Sequence, residues 1–262
     1  MQLNALPDNR YDAQEAEAEL LDRIENYWDN RSTDFSAKRR QELAGPNANA
    51  WLRLIRAQLP DNLPQPLQVL DIGTGAGFFP ILLTQAALAE HTIGIDMSSD
   101  MLREAKENTL ATGTHSRIEF RQMNAQELDF ADESFDLILT RNLTWTLPDA
   151  MQAYREWHRV LRRGGLLMNF DADRGQEIFS KDADNPENVH ACISNAQLDE
   201  CNAIKSALRI STHRRPVWDC AFLRELGFHV ASEPDISARV FLDPELAYDD
   251  EELFAIYAQK LR

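Results

Sequence analysis

The feature that most constrains the fold is a regular alternation of short apolar runs and amphipathic runs after residue 66. The apolar runs predict strands at Leu67–Ile72, Thr92–Ile95, Arg117–Arg121, Phe135–Thr140, Gly165–Phe170, Phe228–Val230 and Leu253–Ala258. The amphipathic runs predict helices at Phe79–Leu88, Ser99–Ala111, Pro148–Leu161 and Trp218–Leu226. Strands joined through helices pair in parallel, with helices on both faces of the sheet. The sequence therefore predicts a doubly wound α/β fold with a mostly parallel, seven-stranded sheet.

Two segments lie outside this alternation. Residues 1–59 carry helical apolar stripes, such as Leu20, Ile24 and Trp28, and residues 12–40 look helical and acidic. This part ends at PDNLPQP, residues 60–66, whose three prolines interrupt any helix. Residues 172–215 are polar and show helical runs without a strand. We therefore expect an N-terminal helical arm (1–59), followed by a domain (60–262) that carries a helical lid insertion over about 172–215.

The charge balance argues against a polyanionic partner. Lys and Arg number 27 against 43 Asp and Glu, a formal net charge of −16. Such a surface repels phosphate backbones, so no nucleic-acid partner is expected. The sequence has no apolar run long enough to span a membrane and begins with a polar stretch, so we expect no membrane partner and a cytoplasmic location.

The cysteines and histidines do not form a recognisable ligand pattern. His190, Cys192, Cys201, His213 and Cys220 occur close together in the chain, but without CxxC or HxxxH spacing. Zinc sites use such spacings. The odd number of cysteines also argues against a disulfide framework. We expect buried, inert thiols and no metal.

The turn Asp71-Ile72-Gly73-Thr74-Gly75-Ala76-Gly77 follows the first predicted strand. A dinucleotide fingerprint needs a glycine at position 78, which here is Phe78. A carboxylate just before the glycines would repel a pyrophosphate but suits an ammonium group. The next strand ends at Asp96, where an acid can accept hydrogen bonds from ribose hydroxyls. A ligand with a ribose, a cationic amino-acid end and no phosphate is S-adenosylmethionine, whereas a nicotinamide cofactor is disfavoured.

Four segments in order, VLDIGTGAGFFPILL, IGIDMSSDMLREAKEN, FDLILTRN and VLRRGGLLMNF, resemble the class I S-adenosylmethionine-dependent methyltransferases. The resemblance covers residues 67–171 and implies a Rossmann-like fold. It also implies S-adenosylmethionine as cofactor and S-adenosylhomocysteine as product. At Asn124 this family often has an aspartate, and an asparagine can still accept from the adenine amino group. The implied cofactor contacts are Asp71, Gly73, Thr74, Gly75, Asp96, Met97, Asn124, Ala125, Thr140 and Arg141.

The stretch ENYWDNRSTDF is similar to a motif that precedes the core of many small-molecule methyltransferases. In those proteins the arm folds over the bound cofactor. By that analogy Tyr27, Trp28 and Arg31 are expected to close the cofactor site. The alternative for Tyr27 and Trp28 is core packing of an amphipathic helix.

Two further segments supply candidate substrate contacts. Asn142 and Trp145 follow the fourth strand, and ligands of open α/β sheets bind beyond the carboxyl ends of strands. Their alternative role is to brace the loop. Arg214, Arg215 and Trp218 could hold an anionic substrate group, or the arginines could pair with the many surface acids.

Methyl transfer from a sulfonium is an in-line displacement that mainly requires alignment of the nucleophile and exclusion of water. If a general base is used, His190 is the candidate, because the insertion is expected to cap the substrate pocket. We therefore predict methyl transfer to a small molecule by a monomer or homodimer. The alternatives are a protein or peptide methyltransferase and a non-catalytic regulatory protein that binds S-adenosylmethionine.

Overall fold

The computed structural model describes residues 9–175, 178–180, 193–246, 248 and 252–261. Its strands are β1 (Leu67–Ile72), β2 (Ala89–Asp96), β3 (Ile118–Gln122), β4 (Phe135–Arg141), β5 (Leu161–Asp171), β6 (Phe228–Glu233) and β7 (Phe254–Lys260). Its α-helices are α1 (Asn9–Asp29), α2 (Ser32–Ala44), α3 (Pro46–Gln58), α4 (Phe78–Gln85), α5 (Ser99–Thr112), α6 (Ala150–Val160), α7 (Asn195–Ala207), α8 (Val217–Glu225) and α9 (Ser237–Val240).

The seven strands form one sheet in the order β3-β2-β1-β4-β5-β7-β6. All neighbours pair in parallel except β7, which is antiparallel to both β5 and β6. In the register, Ile72 lies opposite Ile95 on one side and Thr140 on the other. The carboxyl ends of β1, β2 and β4 are therefore level, and the segments that follow them meet at one edge. The predicted doubly wound, mostly parallel sheet is confirmed.

Alternate residues of the central strands face two separate hydrophobic clusters. Leu70 and Ile72 lie in the cluster that includes Ile24 and Tyr27 of α1. The opposite face packs against α3, whose Trp51 is fully buried against aromatic rings of α4 and β5. The arm thus begins on one face of the sheet, passes its carboxyl edge and ends on the other face.

Some predicted boundaries shift for local reasons. The arm is not one helix over 12–40, because α1 ends at Asp29 and α2 begins at Ser32. At this break the Asn30 side chain donates back to the carbonyl of Asn26 at 2.7 Å, and such local bonds compete with a continuing helix.

The start of β5 also differs from the prediction. The strand begins at Leu161 rather than Gly165, and its pairing with β4 shifts between Phe135 and Leu137. A bulge accommodates the extra residues, and Gly164 adopts φ +80° there, a conformation that glycine allows.

The insertion contains helix α7 in its described part. Ser194 and Gln197 form a reciprocal capping box at its start. The Arg23 side chain of α1 forms a two-point ion pair with Glu200 of α7, at 2.8 and 3.1 Å. The arm and the insertion are therefore in contact. Among the described residues, no helix is both long and apolar enough to cross a membrane.

Candidate functional site

The glycine turn after β1 adopts a backbone conformation that requires glycine. Gly73 and Gly75 have φ values of +68° and +51°. A Cβ atom on Gly73 would lie 2.9 Å from the Leu143 side chain, and one on Gly75 would lie 3.2 Å from the Phe35 ring. The turn therefore leaves room for a ligand to approach the main chain closely.

Two carboxylates border this turn. Asp71 is buried and accepts a hydrogen bond from the Thr74 hydroxyl at 2.6 Å. Asp96 is half-buried and accepts from the backbone N–H groups of Gly75 at 2.8 Å and Ser98 at 3.0 Å. Burial raises the pKa of Asp71 to about 7 and that of Asp96 to about 6. A ligand that brings positive charge or hydroxyl donors would stabilise both carboxylates in their ionised form.

A cavity of about 700 Å³ lies between the carboxyl edge of the sheet and the arm. Its wall contains nine of the predicted site residues: Trp28, Gly73, Gly75, Asp96, Met97, Asn124, Ala125, Arg141 and Asn142. The rest of the wall is formed by Leu21, Ile24, Phe35, Ile95, Met101, Met123, Leu143, Thr146, Leu147 and Pro148.

A second cavity of about 340 Å³ shares Phe35, Gly73, Arg141 and Asn142 with the first. It adds Asp71, Thr74, Phe78 and Phe79 from the glycine turn and α4, together with Arg39 from the arm. The two cavities thus extend from Met97 past the glycine turn to a pair of arginines.

The arginine end of this space is organised by Glu42 of α2, which is fully buried. Glu42 pairs with Arg141 at 3.0 Å and with Arg39 at 2.9 Å. Burial pushes the pKa of Glu42 upward, but the two arginines outweigh burial and hold it below its ordinary value. With two guanidiniums to one carboxylate, this end of the site carries a net positive charge and suits an anionic group.

Asn142 lies between the two cavities and is conformationally unusual. Its φ is +55°, although it is not glycine. Within the described part of the chain, its buried side-chain oxygen has no hydrogen-bond partner. A buried acceptor without a partner is costly, so this oxygen is suited to a donor on a ligand.

The arm covers the cavities through aromatic rings. Trp28 packs edge-to-face against Phe35 at 5.9 Å and against Trp145 at 6.4 Å. Tyr27 and Arg31 lie outside both cavity walls, where the Arg31 guanidinium donates to the Tyr27 hydroxyl at 2.8 Å. Of the three predicted closing residues, only Trp28 thus borders the ligand space.

Several other predicted site residues do not line either cavity. Thr140 is fully buried within β4. Trp145 is buried and its indole N–H donates to the Asn142 carbonyl at 3.0 Å, which is the bracing role. Arg214 is exposed, and Trp218 stacks on His213 with ring centroids 4.5 Å apart.

Arg215 forms ion pairs, but with buried rather than surface acids: its buried guanidinium contacts Asp171 and Asp219 at 2.9 and 2.8 Å, and neither aspartate has exposed surface. His190 lies outside the described residues, as does Cys192. Cys201 and Cys220 are buried free thiols.

Some wall residues were not predicted as site residues. Leu21 and Ile24 share the apolar stripe of Trp28, so the sequence predicts that they are buried. It does not predict that they border the ligand space. Phe35 ends the quoted arm motif. Arg39 and Glu42 have the i,i+3 spacing of an ion pair within a helix. The pairing of Glu42 with Arg141, however, depends on where α2 crosses the sheet edge, which the sequence does not indicate.

Residues 65–219 match the methyltransferase domain family. The chain belongs to the S-adenosylmethionine-dependent methyltransferases. This methyltransferase is 36% identical over 112 residues to the phosphatidylethanolamine N-methyltransferase of Cereibacter sphaeroides, covering 41% of this chain and 53% of that one. It is 30% identical over 138 residues to the arsenite methyltransferase of Halobacterium salinarum, covering 52% of this chain and 35% of that one. The chain thus spans about half or less of the length of these curated relatives.

The fold is shared with solved methyltransferases. The phospholethanolamine N-methyltransferase 2 of Haemonchus contortus superposes with a TM-score of 0.63 at 17% identity, over 91% of this chain and 60% of that one. The family match confirms the predicted fold and, as the cofactor of this family, S-adenosylmethionine.

Proposed function

We propose that this methyltransferase transfers the methyl group of S-adenosylmethionine to a small-molecule acceptor by in-line displacement, leaving S-adenosylhomocysteine. The observation that carries the proposal is the enclosure of the ligand space. Helices α1 and α2 cover it with Trp28 and Phe35, opposite the glycine turn. A covered space admits a metabolite more readily than a folded protein or a nucleic acid.

The described residues suit the cofactor at both of its ends. We place the ribose hydroxyls at Asp96 and the adenine beside Met97, Asn124 and Ala125. The Asp96 carboxylate still has lone pairs to accept ribose donors, because the N–H groups of Gly75 and Ser98 each bond to a different one of its oxygens.

We place the methionyl end at the second cavity. The orphan oxygen of Asn142 and the Asp71 carboxylate suit its ammonium group. Arg39 and Arg141, opposite them, suit its carboxylate. The glycine turn, where added Cβ atoms would meet Leu143 and Phe35, leaves the space that the amino-acid portion needs.

The cofactor supplies a methyl group already activated on sulfur, so the protein mainly orients the reactants and keeps water out. Trp28 and Phe35 exclude water from the side of the arm. The β4 loop, residues 142–148, forms the opposite wall and supplies Asn142, Leu143 and Leu147. His190 stays our proposal for a base where the acceptor must lose a proton.

The related methyltransferases are named for acceptors as different as phosphatidylethanolamine and arsenite. We therefore limit the proposal for this chain to the class of small molecules. We further propose that it works in the cytoplasm, as a monomer or homodimer, without a nucleic-acid or membrane partner.

The proposal is tested with S-adenosylmethionine carrying a labelled methyl group. The protein is incubated with cell extract, which is then separated by ultrafiltration into small-molecule and macromolecular fractions. We expect protein-dependent label in the small-molecule fraction, and none with Asp96→Ala. Label in proteins would instead indicate a protein methyltransferase. Cofactor binding without transfer to any fraction would indicate a regulatory protein and contradict the proposal.

A further inference from the structure

A fully buried polar network underlies the β4 loop. Its centre is Asp171, the last residue of β5, which has no exposed surface. One oxygen of Asp171 accepts from the Thr144 hydroxyl and from the backbone N–H of Trp145 at 3.0 Å. The other accepts from the N–H of Ala172 at 2.9 Å. Asp171 thus fixes both the side chain and the main chain in the middle of the loop.

Arg215, near the end of the insertion, is the cation of this network. Its guanidinium donates to Asp171 at 2.9 Å and to the Thr144 hydroxyl at 2.5 Å. It also forms a two-point pair with Asp219 of α8, through Nε at 3.0 Å and Nη2 at 2.8 Å. The Arg215 side chain is only 2% exposed, so these bonds are shielded from water.

The network extends from Asp219 to α6 and β5. The Tyr154 hydroxyl donates to Asp219 at 2.7 Å. The Asn169 amide donates to that hydroxyl at 2.9 Å and to Thr144 at 3.2 Å. Residues from the β4 loop, β5, α6 and α8 are therefore joined in one connected set of hydrogen bonds.

Stability alone does not account for this arrangement. One arginine and two aspartates, buried together, carry a formal net negative charge, and the desolvation cost of buried ions often exceeds their attraction. An apolar cluster of the same volume would often stabilise a fold as well or better. What the network supplies is geometry, because a bidentate arginine fixes its partners in both distance and orientation.

We propose that Arg215 is a positioning residue for cofactor binding. Through Thr144 and Asp171 it holds the β4 loop in the shape that presents Asn142 and Leu143 to the cofactor. It thereby couples the end of the inserted segment to the wall of the cofactor cavity. This role replaces direct contact with substrate, since its guanidinium is committed within the network.

The test compares Arg215→Lys and Arg215→Met with Arg162→Met, measuring affinity for S-adenosylhomocysteine by calorimetry and stability by thermal unfolding. Arg162 is the control, because it pairs at 2.7 Å with Asp136, a buried aspartate of β4 at the opposite end of the β4–β5 pair, although the Arg162 side chain is itself 41% exposed. We expect dissociation constants raised about tenfold for Arg215→Lys and about a hundredfold for Arg215→Met. Arg162→Met should lose stability and keep the affinity of the wild type.

A double-mutant cycle separates positioning from general destabilisation. If Arg215 acts through Thr144, the effects of Arg215→Lys and Thr144→Val on affinity will not add. Additive effects, or folded Arg215→Lys with unchanged affinity, would overturn the inference. A loss of affinity in Arg162→Met as large as that in Arg215→Met would also overturn the inference. The inference rests on the proposed cofactor site, and failure of the wild type to bind S-adenosylhomocysteine would instead defeat that site.

Discussion

At the scale of single residues, Asp71 and Asp96 make cofactor binding sensitive to pH. Burial raises their pKa values to about 7 and about 6, so both are partly protonated in the free protein near neutrality. A bound cation and ribose hydroxyls favour the ionised forms, so binding releases protons. We expect affinity for S-adenosylmethionine to fall between about tenfold and about a hundredfold from about pH 7.5 to about pH 5.5.

Calorimetry in buffers with different ionisation enthalpies measures both this affinity and the released protons. In Asp71→Asn the part of the pH dependence near pH 7 should disappear, leaving the part near pH 6. An affinity independent of pH would show that neither carboxylate gains charge on binding. The sign is opposite for the stability of the free protein. Because the pKa of Asp71 is raised from its ordinary value to about 7, its cost to stability grows as the pH rises from about 4 to about 7 and stays constant above that.

Asn142 offers a second test at this scale. Asn142→Gly removes the orphan side-chain oxygen but relieves the φ of +55°, which glycine adopts without cost. We expect a melting temperature equal to or above that of the wild type, with affinity for S-adenosylmethionine about tenfold lower. Unchanged affinity would mean that the oxygen does not contact the cofactor.

At the scale of elements, α1 is held over the site by the buried side chains of Ile24 and Tyr27 and also by polar contacts nearer the surface. Asp29 accepts from the Ser98 hydroxyl at 2.5 Å, Glu25 from Gln122 at 3.0 Å, and Arg23 pairs with Glu200. Exposed pairs of this kind contribute little free energy. By contrast, α3 is anchored by a fully buried Trp51.

Loss of the Asp29 contact should speed cofactor exchange. In Asp29→Ala we expect S-adenosylhomocysteine to dissociate about three- to tenfold faster, because a charge-assisted bond between α1 and the start of α5 is lost. Stopped-flow tryptophan fluorescence, reported by Trp28 at the cavity wall, measures this rate. Asp22→Ala, an exposed change in the same helix, is the control. Equal rates in both variants would show that the contact does not restrain α1.

Features that depend on neighbouring residues in the chain were predicted from the sequence, whereas features that depend on distant contacts were not. The glycine turn and the acid at the end of β2 depend on neighbours in the chain, so Asp71 and Asp96 were found directly. The break after Asp29 and the bulge near Gly164 arise from hydrogen bonding and strand pairing that periodicity does not report. Arg215 was predicted as a candidate substrate contact, but its buried partners became visible only when β5 and α8 were brought together.

At the scale of the whole molecule, the arm joins the two faces of the sheet across its carboxyl edge. Ile24 packs in one hydrophobic cluster and Trp51 in the other, while Glu42 between them pairs with Arg141 at the end of β4. This path encloses the ligand space that the sheet alone would leave open. It was not predictable from the sequence, because apolar stripes indicate that a helix is buried but not against which face.

The central claim is that this enclosed edge binds S-adenosylmethionine with Asp96 on the ribose. Calorimetric titration of the wild type and Asp96→Ala with S-adenosylmethionine, S-adenosylhomocysteine and NADH tests it directly. We predict that the wild type binds both sulfur nucleotides and not NADH, and that Asp96→Ala weakens both by about a hundredfold while remaining folded. A wild type that binds neither sulfur nucleotide, or that binds NADH in their place, would contradict the account.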